Sequence, residues 1–387
     1  MAQCIVGWSH SKFGKLEDET LESLIVRVTT EAIAHAGLDA ADIDAIFLGT
    51  MNAGLCAQEF PSSLVLQADP ALRFKPATRV ENACATGSAA IHQGLNAIAA
   101  KRARFVLVVG AEKMTHLSSA AVGECLKKAS YQPEESGIEG GFVGVFAKVT
   151  EAYFQRYGDQ SDALAKIAAK NHANGVGNPF AHVRKDLGYE FCRGGDANPQ
   201  VVGPLRRTDC SMVSDGAAAV VLADTDHLTV VPRAVGLRAA VQVNDFLPMS
   251  RRDMAAFEGP SVAWHRALAA AGLTLDDLSL VETHDCFTSA ELIEYEAMGL
   301  TGRGDGARAI NEGWTLRGGR LPVNLSGGLK AKGHPIGATG VSMHVLCAMQ
   351  LTGTAGAIQL PGATLAGLFN MGGAAVANFV SILEPLK

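Results

Sequence analysis

The chain has 387 residues, with 33 Lys plus Arg against 39 Asp plus Glu and a net charge of −6. At ~100–200 residues per domain this length predicts two or three structural units, and the acidic balance excludes the basic footprint that nucleic acid requires. With 48% apolar and 19% charged residues, the chain is excluded from the disordered class, and no apolar run approaches the ~18 residues of a membrane helix.

The first residues, MAQCIVG, lack the basic start and apolar middle of a signal peptide. The last, LEPLK, are not a peroxisomal address. A soluble, cytoplasmic protein is expected, without membrane or nucleic-acid partners. None of the eight cysteines (Cys4, Cys56, Cys84, Cys125, Cys192, Cys210, Cys286 and Cys347) forms a Cys-x-x-Cys pair, so most are expected to be reduced, small buried hydrophobes.

In chain order, an apolar helical rhythm over residues 23–36 precedes a strand at 45–49. A helix at 88–100 precedes a buried strand at 105–110. Residues 116–208 are helical in rhythm and polar, and predict an insertion that acts as a lid or substrate-binding subdomain. An Ala/Val strand follows at 216–223. The segment 266–285, RALAAAGLTLDDLSLVETHD, then repeats 31–50, EAIAHAGLDAADIDAIFLGT. Each copy reads as a helix, a Gly-Leu cap, a polar turn and a buried strand. Each half also carries a Gly-containing loop opening an Ala-rich helix (83–90 and 327–340) and a last strand ending in Gly (105–110 and 365–373). This order predicts a duplicated α/β fold, with one half over 1–230 and the other over 231–387.

Four short segments carry chemistry. Cys84, in ENACATGSAA, opens a helix, where dipole and free N–H groups are expected to lower its pKa and to hold an oxyanion. His334, in NLSGGLKAKGHPIGATG, lies between Gly and Pro and so outside any regular element. The repeat makes its loop the counterpart of the Cys84 loop, which would bring thiol and imidazole together. Lys330 and Lys332, beside it, are read as facing solvent. His284, Asp285 and Cys286 end the second repeat's strand, where ligand sites form in α/β sheets. Zinc there is rejected because no second Cys or His lies within a few residues. The fourth segment is FNMGG, with backbone amides free to donate around Gly372.

ENACATGSAA, HDCF, NLSGGLKAKGHPIGATG and NMGG, in this order over nearly the whole chain, resemble the thiolase superfamily. His-Asp-Cys-Phe in place of Asn-Glu-Ala-Phe resembles the sterol-carrier-protein-x type. The resemblance implies a layered α-β-α-β-α fold with two mixed five-stranded sheets and a helical loop domain. It implies an acyltransferase that cleaves 3-ketoacyl-CoA by thiolysis or runs the reverse Claisen condensation. Cys84 would be the nucleophile, His334 its base and a group that helps hold an oxyanion, His284 part of the first oxyanion hole and Cys286 the second acid/base. The amides of Cys84 and Gly372 would form the second oxyanion hole, and Ser211 would touch the pantetheine arm. Asn370 stands where two-cysteine thiolases carry their acid/base Cys, and Cys286 replaces that thiol. No metal or redox cofactor is implied; coenzyme A thioesters are substrates, the subunits pair as a homodimer or homotetramer, and a small partner protein is possible. Decarboxylating condensation, retro-aldol cleavage and a non-catalytic acyl-CoA-binding scaffold are the alternatives.

Overall fold

The computed structural model describes residues 3–387. Among them eleven strands form: β1 (Gln3–His10), β2 (Ala45–Gly49), β3 (Ala77–Val80), β4 (Phe105–Glu112), β5 (Gln200–Val202), β6 (Leu205–Arg206), β7 (Gly216–Asp224), β8 (Val235–Asn244), β9 (Leu280–Glu282), β10 (Ala366–Gly372) and β11 (Ala377–Pro385). The small β5-β6 hairpin stands apart. The other nine make one sheet in the order β3-β2-β4-β7-β1-β8-β11-β10-β9.

The halves repeat one connectivity. The order β3-β2-β4-β7-β1 in the first is mirrored by β9-β10-β11-β8 in the second, with a single parallel bridge, Val281 to Val323, at the place of the missing edge strand. The expected pair of five-stranded sheets is thus one hydrogen-bonded sheet. The join is short: Gln3, Cys4 and Ile5 of β1 pair with Leu237, Gly236 and Val235 of β8. Pairing the two edges satisfies backbone groups that each half alone would leave open.

The repeated local sequence gives repeated local structure. Helices Leu21–Ala36 and Glu258–Ala271 both end on a left-handed glycine, Gly37 (φ 70°) and Gly272 (φ 65°). Each is followed by a one-turn 3-10 helix, Ala40–Asp42 or Leu275–Asp277, closed by a capping box. A left-handed cap without a Cβ penalty ends each helix and aims the chain into the next strand.

Strand alternation separates the layers. Val106 and Val108 of β4 join the central core with Ile91 and Val341, whereas Phe105, Leu107 and Val109 join the outer core beneath helix Leu21–Ala36. Helices on both faces explain why β4 and β7 are apolar up to their last residue rather than alternating. The central layer holds helices Thr86–Ala99 and Ile336–Leu351. The second packs on strands of both halves and is buried at every position except Met349, so it has no polar face.

These two helices cross through glycine. A Cβ on Gly87 would lie 2.7 Å from the Val341 nitrogen, one on Gly340 2.3 Å from the Ser88 nitrogen, and one on Gly337 2.6 Å from the Gly49 carbonyl oxygen. Backbone meets backbone, so no side chain can move to make room. Gly340→Ala should therefore cost about 1–3 kcal/mol through overpacking. Gly123, with nothing within 4 Å of an added Cβ, lies in helix Ser119–Lys127, where Gly→Ala should be neutral or stabilising by up to about 1 kcal/mol. Denaturant melts of the two variants check this; equal midpoints would remove the packing claim.

Candidate active site

Both central helices begin at the same end of the sheet, and the motif loops meet there. Cys84 sits in the one-turn 3-10 helix Ala83–Ala85, entered through Ala83 at a positive φ of 48°. A non-glycine residue in that region is strained. The turn is held by Ala85 N–H to the Asn82 carbonyl (3.1 Å), Asn82 N–H to Thr86 Oγ1 (2.8 Å) and the Asn370 side-chain amide to the Cys84 carbonyl (3.1 Å). The backbone N–H groups of Gly373 and of Cys84 itself reach the sulfur. Gly372, one residue earlier, closes β10 opposite Ala377. Despite the helix start, burial pushes the Cys84 thiol up to about 12, with Glu81 and Glu112 adding to the rise. The expected lowering does not occur. A helix terminus contributes at most ~2 kcal/mol, whereas each unit of pKa is ~1.4 kcal/mol and full burial can shift a group by several units.

His334 is anchored by its N–H to the Met212 carbonyl (3.0 Å) and by Nδ1 to Thr339 Oγ1 (2.6 Å). The Thr339 hydroxyl also reaches the Pro335 carbonyl (3.0 Å); with its single proton placed there it accepts from the ring, the arrangement in which Nδ1 carries the imidazole proton and Nε2 is bare. Burial, with help from Lys332, holds the ring's pKa down at about 3. Burial thus favours the neutral form of both thiol and imidazole over a preformed thiolate–imidazolium pair.

His284 and Cys286 point to the site, while Asp285 between them points away. Asp285 accepts from Leu329 N–H (2.6 Å), Asn171 Nδ2 (2.8 Å) and Lys330 N–H (3.3 Å). This is the two-residue alternation of an extended segment. Behind it, Glu291 binds Lys170, Asn171, Tyr295 and Asn324, which ties the loop to helix Ser161–Gly175 of the insertion. Burial raises the Cys286 thiol well above its usual value, and the nearby Cys84, Glu294 and Asp285 add to that.

The cavity at this point is apolar. Cys84, Cys286, His334 and Ser211 share it with Met51, Met114, Phe142, Met212 and Ile336, among others. Phe142 comes from the insertion. A wider cleft lined by Lys15, Glu17, Gln58 and His116 is open to solvent and holds none of the four motifs. Cys84, His284 and His334 place one ligand atom each within 4.8 Å of the others. Local spacing therefore did not test a metal site, because the three groups come from distant segments.

Lys330 and Lys332 are not at the surface. They are 1% and 0% exposed, because the insertion covers their loop: His182 and Val183 donate N–H bonds to the carbonyls of Lys332 and Ala331. Lys332 donates to Ser342 Oγ (2.9 Å), while Lys330 Nζ has no partner among the described residues. Three positioning groups were given no role by the sequence reading, although Thr339 and Asn370 lie inside two of its motifs. Thr339 orients His334. Glu112 accepts from Thr50 Oγ1, the Met51 and Asn52 N–H groups and the Gly337 N–H, clamping two loops to the start of the His334 helix. Asn370 joins Cys84 to His284. A buried acid at the end of an otherwise apolar strand was a legible signal for Glu112; for the other two the signal was their place in the motifs, which did not show what they touch.

Comparison with known proteins identifies the family. Residues 3–187 match the family described as thiolase, N-terminal domain, and residues 241–385 the thiolase C-terminal domain-like family. The chain is 37% identical over 375 residues to an acetyl-CoA acetyltransferase of Methanothermobacter thermautotrophicus, covering 95% of this chain and 96% of that one. It is 34% identical over 327 residues to sterol carrier protein 2 of Oryctolagus cuniculus, covering 80% of this chain and 59% of that one. Among solved structures, the Ltp2-ChsH2(DUF35) aldolase superposes with a TM-score of 0.85 at 22% identity, over 99% of this chain and 98% of that one, a likeness of fold. With two matched domains and a relative alike along almost its whole length, the chain belongs to the thiolase family and is an acyl-CoA acyltransferase enzyme of the thiolase type.

Proposed function

We propose that the protein exchanges acyl groups between coenzyme A thioesters through an acyl-enzyme on Cys84, cleaving a 3-ketoacyl-CoA or, in reverse, condensing two acyl-CoAs. The observation that carries this reading is the convergence of Cys84, His334 and Cys286 on one apolar cavity. In thiolysis, His334 Nε2 takes the Cys84 proton as the sulfur attacks the substrate's keto carbon. The resulting oxyanion is held by the amides of Cys84 and Gly372, and the enolate oxygen that forms next by the donor set that includes His284. The oxyanion collapses as the bond between the α- and keto carbons breaks. The α-carbon leaves as the acetyl-CoA enolate and takes the Cys286 proton. A second CoA thiol gives its proton to the Cys286 thiolate and attacks the Cys84 thioester, releasing a shortened acyl-CoA. The Cys84 thiolate then recovers its proton from His334. Every proton returns, and no metal or redox cofactor is required.

The HDCF segment and the sterol carrier protein relatives support membership of the sterol-carrier-protein-x type. Ser211, in the cavity wall, is assigned to the pantetheine arm. The reading includes a role in lipid metabolism such as β-oxidation, a cytoplasmic location and a homodimer or homotetramer. Among the described residues no helix is long and apolar enough to cross a membrane. A small partner protein belongs to the reading too, since the neighbour named above is paired with ChsH2.

Cys84→Ala should abolish the acyl adduct seen by intact mass after exposure to acetoacetyl-CoA. Cys286→Ala should still accept an acetyl group from acetyl-CoA, because a CoA thiolate can leave unprotonated. It should lose about 10²–10⁴-fold in the carbon–carbon step, the usual worth of a positioned acid/base. Near-full thiolysis in Cys286→Ala would falsify the acid/base assignment. The high thiol pKa sets a second expectation. Thiolate is the minor form of Cys84 across neutral pH, so its alkylation by iodoacetamide, followed by peptide mass, should rise about tenfold per unit from pH 6 to 9. A plateau below pH 8 would mean a resting ion pair instead.

A further inference from the structure

Two imidazoles flank Cys84, their rings 5.1 Å apart and nearly perpendicular. Both are buried, and both Nε2 atoms lack a partner among the described residues. A neutral imidazole has one N–H and one bare nitrogen, so its tautomer decides whether it takes a proton or donates one. For His334 the Thr339 hydroxyl leaves Nε2 bare. For His284 the deciding group is Asn370.

The Asn370 amide nitrogen lies 3.1 Å from the Cys84 carbonyl oxygen and 2.9 Å from His284 Nδ1. A carbonyl only accepts, so the atom facing it must be the NH₂; the opposite flip would set two oxygens against each other. The second amide proton then meets Nδ1, which has to be the bare nitrogen, and the ring proton sits on Nε2. Room for the amide comes from Gly340, where a Cβ would stand 2.4 Å from Asn370 Oδ1.

We propose that Asn370 is a positioning residue that fixes His284 in the Nε2–H tautomer, making it an oxyanion donor while the neighbouring His334 stays a bare base. This deepens, and rests on, the Cys84 acyl-enzyme reading. The same hydrogen bond keeps His284 from acting as a ligand beside Cys84 and His334, whose donor atoms lie within 4.8 Å of it and of each other. Zinc needs bare nitrogens and a thiolate, and the asparagine holds the proton on the wrong atom for that.

Asn370→Asp reverses the arrangement. A carboxylate accepts from Nδ1–H, moves the proton off Nε2 and completes a carboxylate–histidine–metal relay. In the full-length enzyme, kcat should fall about 10²–10³-fold, the worth of one oxyanion donor, with a smaller change in KM. Zn²⁺ alone, titrated against a chromophoric chelator, should bind about 10–100-fold more tightly than to the parent protein. Adding His284→Asn should cancel the gain. The binding readout needs no activity, so it survives failure of the acyl-enzyme reading, which Cys84→Ala tests separately. Should Asn370→Asp not fold, ¹⁵N-histidine spectra of the parent protein, with His284→Asn to assign the signal, decide the matter. A bare Nδ1 on His284 supports the proposal. A protonated Nδ1, or unchanged zinc affinity in folded Asn370→Asp, overturns it.

Discussion

The site depends on the clearance between two helix starts. Thr86–Ala99 carries Cys84 just before its first turn, and Ile336–Leu351 carries His334 just before its own. Gly87 and Gly340 let the two backbones approach closer than any Cβ allows, and Gly337 does the same against the ends of β2 and β4. Because the halves share one connectivity, the approach brings corresponding loops to one point. Glu112, buried and accepting from both Met51 N–H and Gly337 N–H, locks that geometry across the halves. A thiol and an imidazole some 250 residues apart in sequence become neighbours through backbone packing rather than through any attraction between their side chains.

Dryness governs the chemistry. Burial raises both thiols and lowers both imidazoles, which favours the uncharged form of the four groups that move protons or stabilise them. A neutral resting site costs less desolvation than a buried ion pair, and donors fixed in a low-dielectric cavity act strongly on charge that appears only during reaction. Charge is kept one layer back. Asp285, Glu291 and Lys170 form a hydrogen-bonded network behind the HDCF segment, where it fixes loop conformation instead of touching the cavity.

The alternation of HDCF explains why a short polar triplet serves two tasks. Cys286 reaches the cavity, His284 sits beside Cys84 and His334, and Asp285 reaches the network, which includes Lys170 and Asn171 of the insertion. The insertion thereby supports the catalytic loop as well as supplying Phe142 to the cavity wall. It also covers Lys330 and Lys332, which is why a basic run that reads as a solvated face lies inside the molecule.

Much was legible in the sequence because the cues are local. The Ala-Gly-Leu repeat predicts the left-handed caps at Gly37 and Gly272, and continuous apolar runs predict strands covered on both faces. Helix and strand bounds fall within a few residues of expectation: the helix at 23–36 is Leu21–Ala36, and the strand at 105–110 is Phe105–Glu112. Cys84, His284, Cys286 and His334 stand out because reactive residue types lie among small ones at element ends. Tertiary structure alone decided the rest. Burial set the sign of the Cys84 shift against the local dipole, since desolvation depends on every atom around a group and the dipole only on its own helix. Packing likewise decided that the edges of two half-sheets join, that two lysines are interior, and that a hydroxyl and an amide assign opposite tautomers to two identical rings, because those contacts link residues that the chain order keeps far apart.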